Sequence, residues 1–199
     1  MKVTEYRGIS ELVYAEVLKD DKETYETGEV KPLAGIGELS RETDTNSEVK
    51  HYDNAPALVV NSASEDKVNC NVSAIPLETV AEITGQQYDE STGAMFEGER
   101  EEKYFALGYK TKKTDGSEVY VWRLKGTFAI PASTHATEDS GTTSNGQTLV
   151  YTGISTTHPF VKTKNKGAKA VNVDLSKNLA DVSTFFDTVT TPDTLKAKG

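Results

Sequence analysis

A single cysteine, Cys70, leaves this chain without a partner for an internal disulfide. No apolar run approaches the roughly 20 residues a helix needs to cross a bilayer. The opening stretch Met1 to Arg7 lacks the apolar core of a secretory signal. No membrane partner is expected. The three histidines, at 51, 135 and 158, are too scattered for metal-ligand spacing. Gly35 and Gly37 stand in a strand context with no further glycine opening a helix, so no phosphate-cradling loop is read there. Apolar residues are scarce, at 36% of 199, and their place is taken by Thr, Ser, Asn and Gly. That mixture suits an all-β domain with long polar loops, or a protein that completes its packing on neighbours. Positive charge is also scarce. A net charge of −9 argues against a protein that grips nucleic acid, because such grip depends on Lys and Arg replacing counterions on phosphates.

The charge that is present is uneven. Residues 162–199 hold seven Lys and four Asp, a net of +3, which leaves −12 of the total −9 on residues 1–161. An acidic body and a basic terminal segment can attract one another between copies, and a solvated tail is the alternative reading. The chain is accordingly divided into a β domain over 1–161 and a basic C-terminal arm over 162–199.

Period-2 alternation dominates. Val68, Cys70, Val72 and Ala74 share one strand face. Phe105, Leu107 and Tyr109 share another, and Tyr120, Trp122, Leu124, Phe128 and Ile130 a third. Asp115-Gly116 between the last two runs supplies the backbone of a tight turn, so 103–113 and 117–130 are expected to form a long hairpin. Further strands are expected at 11–19, 30–40, 48–53, 57–61, 147–155 and 170–173. The total of eight or nine predicts a mainly β fold, a β-sandwich or distorted barrel. One short flanking helix is expected from Pro76, with Leu77, Val80 and Ala81 as an apolar stripe, stopped at Gly85. A second is expected near 179–189, with Leu179, Val182, Phe186 and Val189 on one face and Pro192 beyond. Stretches 41–47 and 133–146 read as loops.

No catalytic constellation stands out. His51 and Asp53 straddle Tyr52 and leave one strand face, which could orient a general base. No nucleophile is tied to them, so a polar strand edge is the preferred reading. Cys70 lies in an apolar row and reads as core rather than as a reactive thiol. The run Phe96-Glu97-Gly98-Glu99-Arg100-Glu101-Glu102 lacks calcium-loop spacing. Its readings are a solvated loop, or a surface that repels phosphates through Glu97, Glu99, Glu101 and Glu102. No catalytic, cofactor or metal residues are assigned.

Four ordered stretches resemble the major tail proteins of siphophages and prophages of Gram-positive bacteria. They are Leu33-Ala34-Gly35-Ile36-Gly37-Glu38-Leu39-Ser40 followed by Tyr52-Asp53-Asn54-Ala55-Pro56; Val68 to Gly85 with Ile75-Pro76-Leu77-Glu78; Phe105-Ala106-Leu107-Gly108-Tyr109-Lys110 with Val119-Tyr120-Val121-Trp122-Arg123; and Phe185-Phe186-Asp187-Thr188-Val189 with Thr191-Pro192. The resemblance implies a non-enzymatic virion protein of the tail tube, held in the host cytoplasm before assembly. It implies hexameric rings that stack, with double-stranded DNA passing through the lumen without specific binding. Its partners would be further copies of itself and other tail proteins such as the tape measure, terminator and distal tail proteins. On this reading Glu97, Glu99, Glu101 and Glu102 are candidates for a lumen or inter-ring surface. Lys162, Lys164, Lys166, Lys169, Phe185 and Phe186 are candidates for an inter-subunit arm. An immunoglobulin-like or carbohydrate-binding adhesin module also suits the strand count and polar loops. So does another ring of the same tail, a terminator or connector. A small enzyme has only the His51/Asp53 pair behind it.

Overall fold

A computed structural model describes residues 3–137 and 145–199 of the chain. The fold is mainly β, a large antiparallel sheet with one α-helix and no closed barrel among the described residues, which fits a β-sandwich. In chain order the strands are β1 (Tyr6–Asp20), β2 (Tyr25–Thr27), β3 (Lys31–Pro32), β4 (Ile36–Tyr52) and β5 (Ala55–Val72). Helix α1 (Leu77–Thr84) follows, then β6 (Gln87–Asp89), β7 (Ala94–Phe96), β8 (Phe105–Lys113) and β9 (Glu118–Phe128). Last come β10 (Ala132–Ser133), β11 (Gln147–Ile154), β12 (Ala170–Asp174), β13 (Ala180–Asp181) and β14 (Lys196–Ala197). The main sheet runs β2-β1-β8-β9-β11-β5-β4, with β3 on β1, β10 on β11 and β12 on β9.

Strand β9 organises the molecule. Its first half, Val119 to Arg123, lies between β8 and β12, and its second half, Lys125 to Phe128, pairs with β11. The expected hairpin of β8 and β9 is present around Asp115-Gly116, with Gly116 at φ 88°. One expected alternation does not run through, however. Leu107 pairs with Arg123 but Phe105 with Gly126, so β9 carries an extra residue there. Such a bulge reverses the side on which later residues point. Trp122 and Leu124 therefore lie in one cluster and Phe128 in the other, while Ile130 is exposed.

Both faces of the β1-β8-β9 layer are buried. On one side Tyr14, Phe105, Leu107, Val121 and Phe128 meet Val68, Cys70 and Val72 of β5, Leu149 and Tyr151 of β11, and Val80 and Ile83 of α1. On the other, Ala15, Ala106, Trp122 and Leu124 are covered by Phe160, Val171, Val173, Phe185 and Val189. The indole Nε1 of Trp122 donates to the Phe185 carbonyl at 2.7 Å. Gly126 marks the crossing of these layers. A Cβ there would stand 2.4 Å from the Thr152 carbonyl oxygen and 2.5 Å from the Tyr151 ring. Gly126→Ala should therefore cost about 1–3 kcal/mol through overpacking, read as a lower urea midpoint at unchanged slope. A midpoint equal to wild type would contradict it.

Helix α1 begins after Pro76 and ends at Gly85, whose φ of 66° suits glycine. Its buried face is Val80, Ala81, Ile83 and Thr84, whereas Leu77 is exposed. No helix forms near 179–189. That segment holds the short β13 and a series of turns closed by Phe185 N–H to Val182 O and Asp187 N–H to Thr184 O. Asp181 accepts the Ser183 N–H at 3.0 Å, a local turn bond that competes with helix. The expected loop at 41–47 belongs to continuous strand β4. The expected loop at 133–146 starts from β10, and residues 138–144 of it lie outside the described residues.

Candidate assembly surface

The β4–β5 hairpin is far longer than the body it springs from. Strand β11 flanks β5 only from Asp66 to Val72. Beyond that, β4 and β5 pair with each other alone out to Tyr52 opposite Ala55. Asp53 and Asn54 close the turn at φ 52° and 60°, the left-handed pair that a two-residue hairpin turn requires. From Thr43, paired with Asp66, to the turn the arm spans about 30 Å. Every side chain described between 44 and 65 is exposed. Four of these are large and apolar: Val49 (45%), Tyr52 (63%), Leu58 (52%) and Val59 (55%). Val49 and Val59 are paired directly across the strands. His51 and Asp53 also sit at this tip, exposed, with Asp53 in the turn rather than on a strand.

The arm is anchored by an ion pair at its root. Asp66 and Arg123 are 3% and 4% exposed and in direct contact. The Thr43 hydroxyl donates to Asp66 at 2.8 Å, and the Lys169 ammonium lies 3.8 Å away. One carboxylate thus faces two cations. Arg123 Nε and Lys169 Nζ are buried with no hydrogen-bond acceptor.

The acidic loop leading into β8 is held rigidly. Arg100 donates through Nε to the Thr84 carbonyl at 2.7 Å and through Nη2 to the Phe128 carbonyl at 3.1 Å. The Glu101 N–H donates to the Gly85 carbonyl. Arg100 itself stays exposed while its guanidinium holds the Thr84 and Phe128 carbonyls, and Glu97, Glu99, Glu101 and Glu102 are all exposed on the same short stretch.

The C-terminal segment packs on its own chain. Strand β12 extends the sheet along β9, Phe185 is buried, and Phe186 stacks on Tyr120 at 5.5 Å. The Asp193 carboxylate accepts the N–H groups of Val161 and Lys162, and Lys162 Nζ donates to the Leu195 carbonyl at 2.6 Å. Of the four expected arm lysines, Lys162 is engaged in this way and Lys169 faces Asp66 at 3.8 Å. Lys164 and Lys166 are exposed and make no ion pair among the described residues.

A second buried carboxylate clamps the 155–160 loop. Asp20 accepts Lys125 Nζ at 2.6 Å and the N–H groups of Thr157 and His158, each at 2.8 Å. Burial pushes its pKa up, but the Lys125 and backbone hydrogen bonds outweigh burial and hold it below the usual carboxylate range. The folded state therefore favours the ionised form. Its contribution is complete above the ordinary value near 4 and lost as pH falls through the lower folded value. Asp20→Asn should cost about 1–3 kcal/mol at neutral pH, and the gap from wild type should shrink as pH drops from about 5 to about 2. Urea unfolding across that range reads the gap, and one that widened in acid would contradict the assignment.

Cys70 is buried, and burial pushes its thiol up to about 12. Among the described residues no three His, Cys, Asp or Glu side chains gather to hold a metal ion. No helix of the described residues is long and apolar enough to cross a membrane.

The sequence matches the family model described as phage tail tube protein over residues 34–189, more than three quarters of the chain. The chain belongs to the phage tail tube protein family. No curated protein gives a significant match. A tail tube protein is a structural component of the virion tail and not an enzyme. Self-assembly with further copies and contact with other tail proteins come with that role. The matched region begins just before β4, covers the whole hairpin, and ends at the buried Val189.

Proposed function

We propose that copies of this chain close into hexameric rings that stack into the tail tube of a siphophage of Gram-positive bacteria, and that double-stranded DNA passes through the lumen without specific binding. The subunit would wait in the host cytoplasm, then assemble with the tape measure, terminator and distal tail proteins. The observation that carries this reading is the hairpin arm with Val49, Tyr52, Leu58 and Val59 exposed. An isolated two-stranded hairpin is marginal in water, and clustered exposed apolar residues mark surfaces that another protein covers. The net charge of −9 supports passage of DNA, because phosphates meet few cations to hold them. Glu97, Glu99, Glu101 and Glu102, fixed and exposed, are proposed to face the lumen or a ring interface. Of the four lysines Lys162, Lys164, Lys166 and Lys169, Lys164 and Lys166 are left to meet an acidic neighbour.

Negative-stain microscopy of the concentrated protein tests the reading. Hollow tubes are expected, and monodisperse particles at every concentration and after seeding would overturn it. A tube reconstruction with all four glutamates on the outer wall would overturn their assignment alone.

A further inference from the structure

At the root of the β4–β5 arm three cations are linked to one carboxylate. Arg123 on β9 and Lys169 just before β12 both face Asp66, which is 3% exposed. Arg41 on β4 donates to the Thr43 hydroxyl at 2.9 Å, and that hydroxyl donates in turn to Asp66. Arg41 and Arg123 also line an open groove of about 900 Å³, with Ile9, Leu39 and Val121 beside them. Glu38, on the same lining, is engaged by the Asn71 amide, which donates to it at 3.1 Å.

We infer that this cluster is a binding site for one carboxylate group, held between Arg123 Nε and Lys169 Nζ. Both nitrogens are buried without a hydrogen-bond acceptor among the described residues. Arg123 is only 4% exposed and uses Nη1 for Asp66. Its guanidinium is a planar fork, so Nε–H remains able to donate to a further oxygen. Lys169 Nζ stands 3.8 Å from Asp66, beyond hydrogen-bond distance, and keeps its donors. A water molecule can accept from either nitrogen but leaves the buried charge unbalanced, which is costly. An anion meets both needs. The site does not depend on the tube reading.

The chemistry selects the ligand. Arg123 and Lys169 against Asp66 leave one positive charge, which a monovalent anion neutralises. A carboxylate is planar and offers two oxygens, one for each nitrogen, and charge-assisted bonds of this kind are the strong ones. Chloride offers no such directed pair of acceptors. Sulfate carries a second charge, which the apolar wall of Ile9, Leu39 and Val121 would strip of water at a cost. Two sources carry the carboxylate chemistry. One is a free carboxylate ion. The other is an acidic side chain of a second copy of this chain, whose Glu97, Glu99, Glu101 and Glu102 are exposed.

Sodium formate is the probe, with sodium chloride at equal ionic strength as the reference. The chain has four arginines, at 7, 41, 100 and 123, so their Nε–H resonances can be followed separately by NMR. In dilute protein the Arg123 Nε–H resonance should shift saturably in formate, with a midpoint on the order of 10 mM, and stay in place in chloride. Lys169→Met should raise that midpoint about tenfold or more. Arg41→Gln, at an exposed position, should raise it about two- to fivefold. No saturable shift at Arg123, or an equal one in chloride, would overturn the site. So would a folded Lys169→Met protein that binds formate as wild type does. Should that variant not fold, wild type and Arg41→Gln decide the matter by the same titration. Seeded tube growth separates the two sources. Growth slowed severalfold by formate but not by chloride, with less slowing in Arg41→Gln, assigns the site to a side chain of a second copy. Growth at the chloride rate assigns it to a free carboxylate ion. Protein that shows the shift yet forms no tubes would end the tube reading and leave the site standing.

Discussion

A subunit whose hairpin is cut back, with an Asn-Gly turn joining Thr43 directly to Asp66, will fold, remain monomeric and form no tubes. The structure separates the two properties along a single strand pair. Among the described residues, the buried ones of β5 lie from Asp66 inward, where β11 flanks it, and every described side chain of 44–65 is exposed. Removing that stretch takes no described residue from either core cluster. It also leaves the hydrogen bond from Thr43 to Asp66 in place. Stability should therefore stay within about 0.5 kcal/mol of wild type, as for changes away from packed or paired groups. Assembly should change far more. Four apolar side chains, each worth about 1.5–3 kcal/mol when buried, supply a gross gain well above the ordering cost of one arm. Their loss should lower association by roughly a thousandfold or more. Sedimentation velocity and microscopy read the assembly, and urea unfolding reads the fold. A shortened chain that still makes tubes would place the assembly energy elsewhere.

The contrast between body and arm also explains what could be read from residues alone. Where one side of a strand meets a core, alternation is visible: Val68, Cys70 and Val72 form such a row, and Asp115-Gly116 marks the turn between two others. From Arg41 to Ser47 both faces meet water and no apolar residue marks a side, so a real strand reads as a loop. The helix expected near 179–189 failed for a different reason. Val182, Thr184, Thr188 and Val189 are β-branched and weak helix formers, and Phe185 is held by Trp122 through packing and a hydrogen bond. Spacing alone could not reveal that tertiary partner. The Phe128 side was hidden by a bulge, which depends on how β8 and β9 align rather than on either strand by itself. Arg123 stands between the apolar Trp122 and Leu124, where period-2 alternation puts it on the opposite face. Its partner Asp66 is 57 residues away, and no local pattern links them. The open pocket lined by Ile9, Leu39, Tyr109, Val119 and Asn172 is illegible for the same reason, since five separate strands bring its lining together.

Asp66→Ala is expected to bring the subunit close to unfolding. Among the described residues Asp66 is the carboxylate paired with Arg123 and Lys169 at the root of the arm, and Thr43 donates to it as well. Taking it away leaves a buried guanidinium with no counter-charge beside a half-buried ammonium. Removing one member of such a pair typically costs about 3–5 kcal/mol. That is a large share of the roughly 5–15 kcal/mol by which a domain of this kind is stable. Asp66→Asn should fall between, because it keeps the shape and an acceptor for Thr43 but not the charge. The origin of the loss can be separated from packing. If the stranded cations cause it, replacing all three groups with apolar residues (Asp66→Leu, Arg123→Leu, Lys169→Met) should recover much of it, since an intact apolar substitute for a buried ionic group is often no less stable. If the carboxylate mattered only as filler, the triple variant would be the worst of the set. Urea midpoints at matched slopes decide between these outcomes. An Asp66→Ala protein within about 1 kcal/mol of wild type would show that water reaches Arg123 and that the pair is not buried in solution. The same pair fixes where β4 and β5 leave the sheet, so partial loss of Asp66 should also lower tube yield at concentrations where the subunit itself remains folded.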